Sequence, residues 1–152
     1  MYQRLIDCLG TVKSSYEKGV KITEEIFDSL KHNDIKSLPN LTKLQTDCMA
    51  EITKEKEALR EFVRGVILKF NISTDEYKVQ HIIHLFTQLQ KEKILDMSRE
   101  ICEEEALLQK TLFRNQDMLS AMIRTTQTIV DTAIDYSEDE YNEGQLFLNE
   151  KF

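Results

Sequence analysis

From residue 75 to residue 136 the chain contains neither glycine nor proline. Within that stretch Leu108, Leu112, Asn115, Leu119, Met122, Thr126, Ile129, Ala133 and Tyr136 follow one another in alternating steps of four and three. Such steps keep side chains on one side of a 3.6-residue turn, whereas a strand needs steps of two. The stretch therefore reads as helix, and its seam as a coiled-coil heptad. One helix over all of it would be roughly 90 Å long at 1.5 Å per residue. A neighbour of ordinary length covers only part of that, so the helix must pack against two shorter ones end to end, or break. Glu103-Glu104-Glu105 is the expected soft point. The register of Val79, Ile82, Phe86, Leu89, Ile94, Met97 and Ile101 differs from the stricter one that follows.

The earlier residues supply the neighbours. Over 2–32, Leu5, Leu9, Val12, Tyr16, Ile26 and Leu30 form a seam that passes through Gly19 and Thr23, broadened by Val20, Ile22 and Phe27. His32-Asn33-Asp34 and Pro39 then interrupt it. Asn and Asp cap helix ends and Pro fits a first turn, so a short turn or kink is expected over 33–40. One helix kinked at Pro39 is the alternative. A second helix is expected over 40–70, through Leu41, Leu44, Cys48, Ile52, Leu59, Phe62, Val66 and Phe70. Ser73-Thr74-Asp75-Glu76 has the form of a capping box, with Ser73 capping the next helix.

The fold class that follows is all-α: an elongated antiparallel bundle of three or four long helices with coiled-coil packing. Residues 1–136 make one domain. Residues 137–152 lose the periodicity and carry Glu138, Asp139, Glu140, Glu143 and Glu150 against Lys151, a net charge of −4. They read as a flexible acidic tail.

Composition removes several kinds of chemistry. A net charge of −7 is the wrong sign for a nucleic-acid partner, which needs clustered Lys and Arg. No apolar run approaches the roughly 20 residues of a membrane span, and 2–11 lack the apolar core of a signal peptide. Cys8, Cys48 and Cys102 are odd in number and widely spaced. They suit a reducing compartment without disulfides, and each reads as a small buried hydrophobe. A cytoplasmic protein without membrane insertion is expected. The residues three before His32, His81 and His84 are Ser29, Lys78 and His81. None is the Glu that a di-metal bundle requires. His81 and His84 share a helical face but lack a third ligand beside them. No phosphate loop and no Gly-x-Ser-x-Gly turn is present. Neither cofactor, metal nor catalytic residue is expected, and the chain does not read as an enzyme.

What remains is surface. Asn115 inside an apolar heptad either fixes register at a cost in stability or sits on the rim with its amide in water. Met118, Ile123, Val130 and Ile134 flank the seam and give 115–136 more apolar surface than one seam uses. Either they pack against two helices of the same chain, or they form a face that receives a helix of another protein. Methionine is frequent on adaptable binding surfaces of that kind.

The order of features is similar to a known family. Asn33-Asp34-Ile35-Lys36-Ser37-Leu38 is a small-polar turn followed by Asp-hydrophobic. Leu41-Thr42-Lys43-Leu44 and Glu55-Lys56-Glu57-Ala58-Leu59 follow in a Leu-rich helix. Arg114-Asn115-Gln116-Asp117-Met118-Leu119 resembles an Asn-x-x-Asn-x-x-Leu-Leu block, departing at its first Asn, where Leu112 stands. Tyr136 with a polar, Gly144-containing tail completes the likeness. In these motifs, which span nearly the whole chain, it resembles the FlgN family of flagellar export chaperones.

The resemblance implies a cytoplasmic type III export chaperone. Such proteins bind flagellar hook-filament junction proteins, keep them unassembled and deliver them to the export apparatus. It places client binding at Asn115, Met118, Leu119, Met122 and Ile123. Ile129, Val130 and Ile134 extend the same apolar face, and Tyr136 and Tyr141 are the aromatic candidates for contact with the export gate. The alternative is a structural or adaptor coiled coil that oligomerises without a client.

Overall fold

The computed structural model describes the backbone of residues 1–150 and the side chains of residues 1–136. It is all-helical, without a strand among the described residues, and three long helices dominate it: α1 (Tyr2–Lys31), α2 (Leu38–Lys69) and α3 (Gln88–Glu150). Two single 3₁₀ turns, Val79–His81 and Ile83–Leu85, lie between α2 and α3.

Every seam position of α1 is buried, Gly19 and Thr23 included. Gly19 is there because neighbours approach closely. A Cβ on it would lie 3.3 Å from Leu108 Cδ2 and 3.4 Å from Ile52 Cδ1. α1 ends where Asn33 turns to a φ of 56°, a conformation Asn tolerates better than most residues. The amide of Asp34 donates to the Ser29 carbonyl at 2.8 Å, closing the turn. The Asp34 carboxylate in turn accepts from the Ser37 amide and hydroxyl. α2 then starts with Pro39 in its first turn, where a missing N–H costs nothing. The chain is thus broken at 32–37, and the single kinked helix is excluded.

α2 buries Cys48, Ile52, Val63, Val66 and Ile67. Leu44 and Phe70, both expected in its stripe, are exposed. Gln45 takes the inward place of Leu44, because its amide Nε2 finds the Thr23 hydroxyl at 3.1 Å. Pairs such as Lys18–Glu51 and Gln45–Thr23 join a later residue of one helix to an earlier one of the other. α1 and α2 therefore run in opposite directions.

The entry to α3 differs most from the sequence expectation. Ser73 does not cap it. Asn71, at φ 51°, terminates α2. Residues 72–87 form a connector, and α3 begins at Gln88. The Thr87 amide donates to Gln90 Oε1 at 3.1 Å, the reciprocal arm of a capping box one step further along the chain. Ile82 and Phe86 are buried as foreseen, but from positions flanking the 3₁₀ turns rather than from a helical stripe. Leu89, placed in that stripe, is 77% exposed. Packing decided this. Ile82 and Phe86 join Leu5, Leu9, Val63, Val66, Ile67, Ile94 and Met97 in one apolar cluster. A straight helix through 75–88 would carry them past it.

From Gln88 on α3 does not break, and Glu103-Glu104-Glu105 lies inside it. Glu105 is held there. It accepts from the Tyr16 hydroxyl at 2.8 Å and pairs with Lys56 at 3.1 Å. Lys13–Glu100 at 2.9 Å and Arg114–Glu24 at 2.9 Å tie the same helix to α1. These contacts advance together along both chains, so residues 88–115 run parallel to α1. Of the cysteines, Cys48 is buried as expected, Cys8 is half-buried and Cys102 is exposed; all three are free thiols. No described helix is long and apolar enough to cross a membrane.

Candidate partner-binding face

The seam of α3 changes character at Asn115. Leu108, Thr111 and Asn115 are buried, and every buried side chain among those described lies at or before Asn115. Asn115 is 5% exposed. Its Nδ2 donates to the Thr23 carbonyl at 2.8 Å, while its Oδ1 has no partner among the described residues. Thr23 donates to the Gly19 carbonyl at 2.8 Å and accepts from Gln45. One polar set thus links all three helices inside an apolar seam. The rim reading of Asn115 is excluded: its amide is engaged within the chain rather than presented to water. Beside it, the Arg114 guanidinium stacks on the Phe27 ring at 3.6 Å and pairs with Glu24.

Residues 116–136 are different. Met118 and Met122 are half-buried, and every other side chain in this range is exposed. Leu119, Ile123, Ile129, Val130, Ile134 and Tyr136 are among them, with Ile123 at 67%. At 100° per residue these six and the two methionines share one side of the helix, a stripe roughly 160° wide. Asp117, Ser120, Arg124, Thr128, Asp131 and Asp135 lie on the other side. Thr126, within the stripe, donates its hydroxyl to the Met122 carbonyl at 2.9 Å, so it needs no outside partner. Gln127 spends its amide on Asp131 at 2.9 Å. The surface offered is aliphatic and continuous over six turns. Single exposed Leu or Ile residues are ordinary, but a continuous apolar strip marks an interaction site.

The sequence-derived candidates thus fall into three groups. Met118, Leu119, Met122, Ile123, Ile129, Val130, Ile134 and Tyr136 stand together on this stripe. Asn115 is buried against Thr23. The side chain of Tyr141, like those of the acidic tail over 137–152 to which it belongs, lies outside the described residues. The backbone of α3 itself runs to Glu150.

A second polar cluster sits within residues 1–115. Burial raises the Tyr16 phenol above its ordinary pKa, and its bond to Glu105 adds to this. The same hydroxyl holds the Glu105 carboxyl below the usual carboxylate range, with Lys56 adding to it against a desolvation penalty. A cleft of about 720 Å³ lies nearby between α2 and residues 75–79. Its lining balances Lys56, Arg60 and Lys78 against Glu57, Asp75 and Glu76. Neither the polar role of Tyr16 nor this cleft stood out in the sequence, since the partners of each come from separate segments of the chain. His81 Nε2 lies 3.4 Å from the Glu76 carboxylate. Among the described residues no group of three or more His, Cys, Asp or Glu side chains is gathered as a metal site.

Comparison of the chain with protein-family models, with curated proteins and with solved structures gave no match.

Proposed function

We propose that the chain is a carrier that takes up an amphipathic helix of a client on the 116–136 stripe of α3. In this reading it is a type III export chaperone for flagellar hook-filament junction proteins. One observation carries the proposal. Residues 1–115 bury a core of their own, while 116–136 expose a helical stripe of large apolar side chains. The resemblance of 33–44 and 114–119 to the chaperone family supplies the client class. The seam from Leu108 through Tyr136 is read as coiled-coil packing, satisfied internally as far as Asn115 and by the client from Leu119 on.

The mechanism is binding without chemistry. A segment that drives assembly of a junction protein is itself an amphipathic helix. Covering its apolar side removes the surface through which it would polymerise. Release at the export apparatus requires that the complex be reversible. Met118 and Met122, flexible and polarizable, suit a surface that must let go.

Isothermal titration of the full-length chain with a hook-filament junction protein tests the reading. Saturable binding is expected, and an absence of binding contradicts it. A chain truncated after Asp135 tests Tyr136 and the tail, and unchanged affinity would remove 136–152 from the binding model. The adaptor alternative predicts self-association instead, and a concentration-independent monomer in sedimentation velocity would count against it.

A further inference from the structure

The stripe on α3 suits three kinds of occupant: a lipid surface, a second copy of this chain, or a helix of another protein. Charge separates them. Residues 116–152 contain Asp117, Asp131, Asp135, Glu138, Asp139, Glu140, Glu143 and Glu150 against Arg124 and Lys151. That is 8 acidic and 2 basic residues, a net −6, in a chain whose total is −7. The first 115 residues are close to neutral by difference, at −1. Residues 116–136, which carry the stripe, hold −2 of this and residues 137–152 the other −4, so the charge of the chain is concentrated on and after the stripe.

An interfacial membrane helix has the reverse arrangement, with Lys and Arg on its polar face to meet anionic lipid. Here the polar side of 116–136 offers Arg124 alone against Asp117, Asp131 and Asp135. A second copy fares no better. Two stripes laid together would bring two acidic helices, each with a net −2 over 116–136, within a Debye length, about 10 Å at 0.1 M salt. Like charges so placed oppose association.

We propose that the occupant is a basic amphipathic helix: a segment of another protein with an apolar stripe of about six turns, flanked by Lys and Arg. The inference rests on the reading of the α3 stripe as a client site and adds the electrostatic character of the client. The apolar stripe supplies the contact area. The acidic segment supplies orientation, speed of encounter and rejection of acidic helices.

Two designed 21-residue peptides test it, with identical Leu and Ile stripes and a polar face of either Lys and Arg or Glu. Their binding to the full-length chain is followed by fluorescence anisotropy at about 0.1 M and about 1 M salt, where screening shortens from about 10 to about 3 Å. The basic peptide is expected to bind at least about tenfold more tightly at low salt, with the preference collapsing at high salt. The variant Ile123→Asp is expected to bind neither peptide. Equal binding of the two peptides, or a preference indifferent to salt, overturns the charge inference and leaves the stripe standing as a site. Binding of neither peptide overturns the client-site reading, and this inference with it.

Discussion

Asn115 shows why an unfavourable residue is kept. Among the described residues its Oδ1 is buried without a partner, and its Nδ2 donates to the Thr23 carbonyl of α1. A buried unsatisfied acceptor costs about 1–3 kcal/mol. Asn115→Leu, which keeps the branching of the side chain, is expected to raise stability by about 1 kcal/mol in urea unfolding. If the variant is less stable, the amide is a net support rather than a register pin. The glycines give a cleaner contrast. A Cβ at Gly65 would meet nothing within 4 Å, whereas at Gly19 it would press on Leu108 and Ile52. Gly65→Ala should therefore gain the full helix-propensity difference, about 1 kcal/mol. Gly19→Ala should gain less or lose, as read from thermal midpoints. Tyr16 adds a pH signature. The Glu105 carboxyl has its pKa lowered in the folded chain, first by the Tyr16 hydroxyl. A lowered folded value contributes stability above the unfolded pKa, and that is lost as pH falls through the folded one. Tyr16→Phe should thus be most destabilising near neutral pH, with its deficit shrinking below about pH 4. A deficit constant across that range would assign the loss to packing alone.

At the level of elements, helix interiors were legible and one helix start was not. The α1 seam was readable because all eight positions are buried, and the heptad holds even through Gly19 and Thr23. The start of α3 was misread because Val79, Ile82, Phe86 and Leu89 happen to sit at helical spacing. In the folded chain Val79, Ile82 and Phe86 serve a connector that closes over Leu5, Val63 and Ile94. No local signal separates those cases, since the deciding contacts with Leu5 and Val63 lie 16 to 81 residues away in sequence. Of the two alternatives left open at Glu103-Glu104-Glu105, the continuous helix is the one found, for a related reason: Tyr16 and Lys56 hold Glu105 from other helices. The connector can be tested directly. Ile82→Ala, at a fully buried site, should cost about 2–5 kcal/mol. Leu89→Ala should be nearly silent. Comparable losses at both sites would restore the continuous helical stripe. Ser73→Ala should likewise leave stability unchanged, whereas Gln90→Ala should cost about 0.5–1 kcal/mol through the lost reciprocal cap.

Over the whole molecule, core and charge are divided along the chain. All described buried side chains lie within residues 1–115, and nearly all the net charge lies in 116–152. The excess apolar surface of the later segment was readable from Met118, Ile123, Val130 and Ile134. Whether the chain would cover that surface itself was not, because periodicity reports a face and never its neighbour. The central claim is that this stripe serves a partner and not the fold. The paired variant Ile123→Asp/Ile134→Asp tests it most directly, with its thermal midpoint and its titration against a hook-filament junction protein measured on the same sample. The account predicts a midpoint within a few degrees of the parent chain and loss of binding. A midpoint that falls as far as that of Ile82→Ala, or binding that survives both charges, would contradict it.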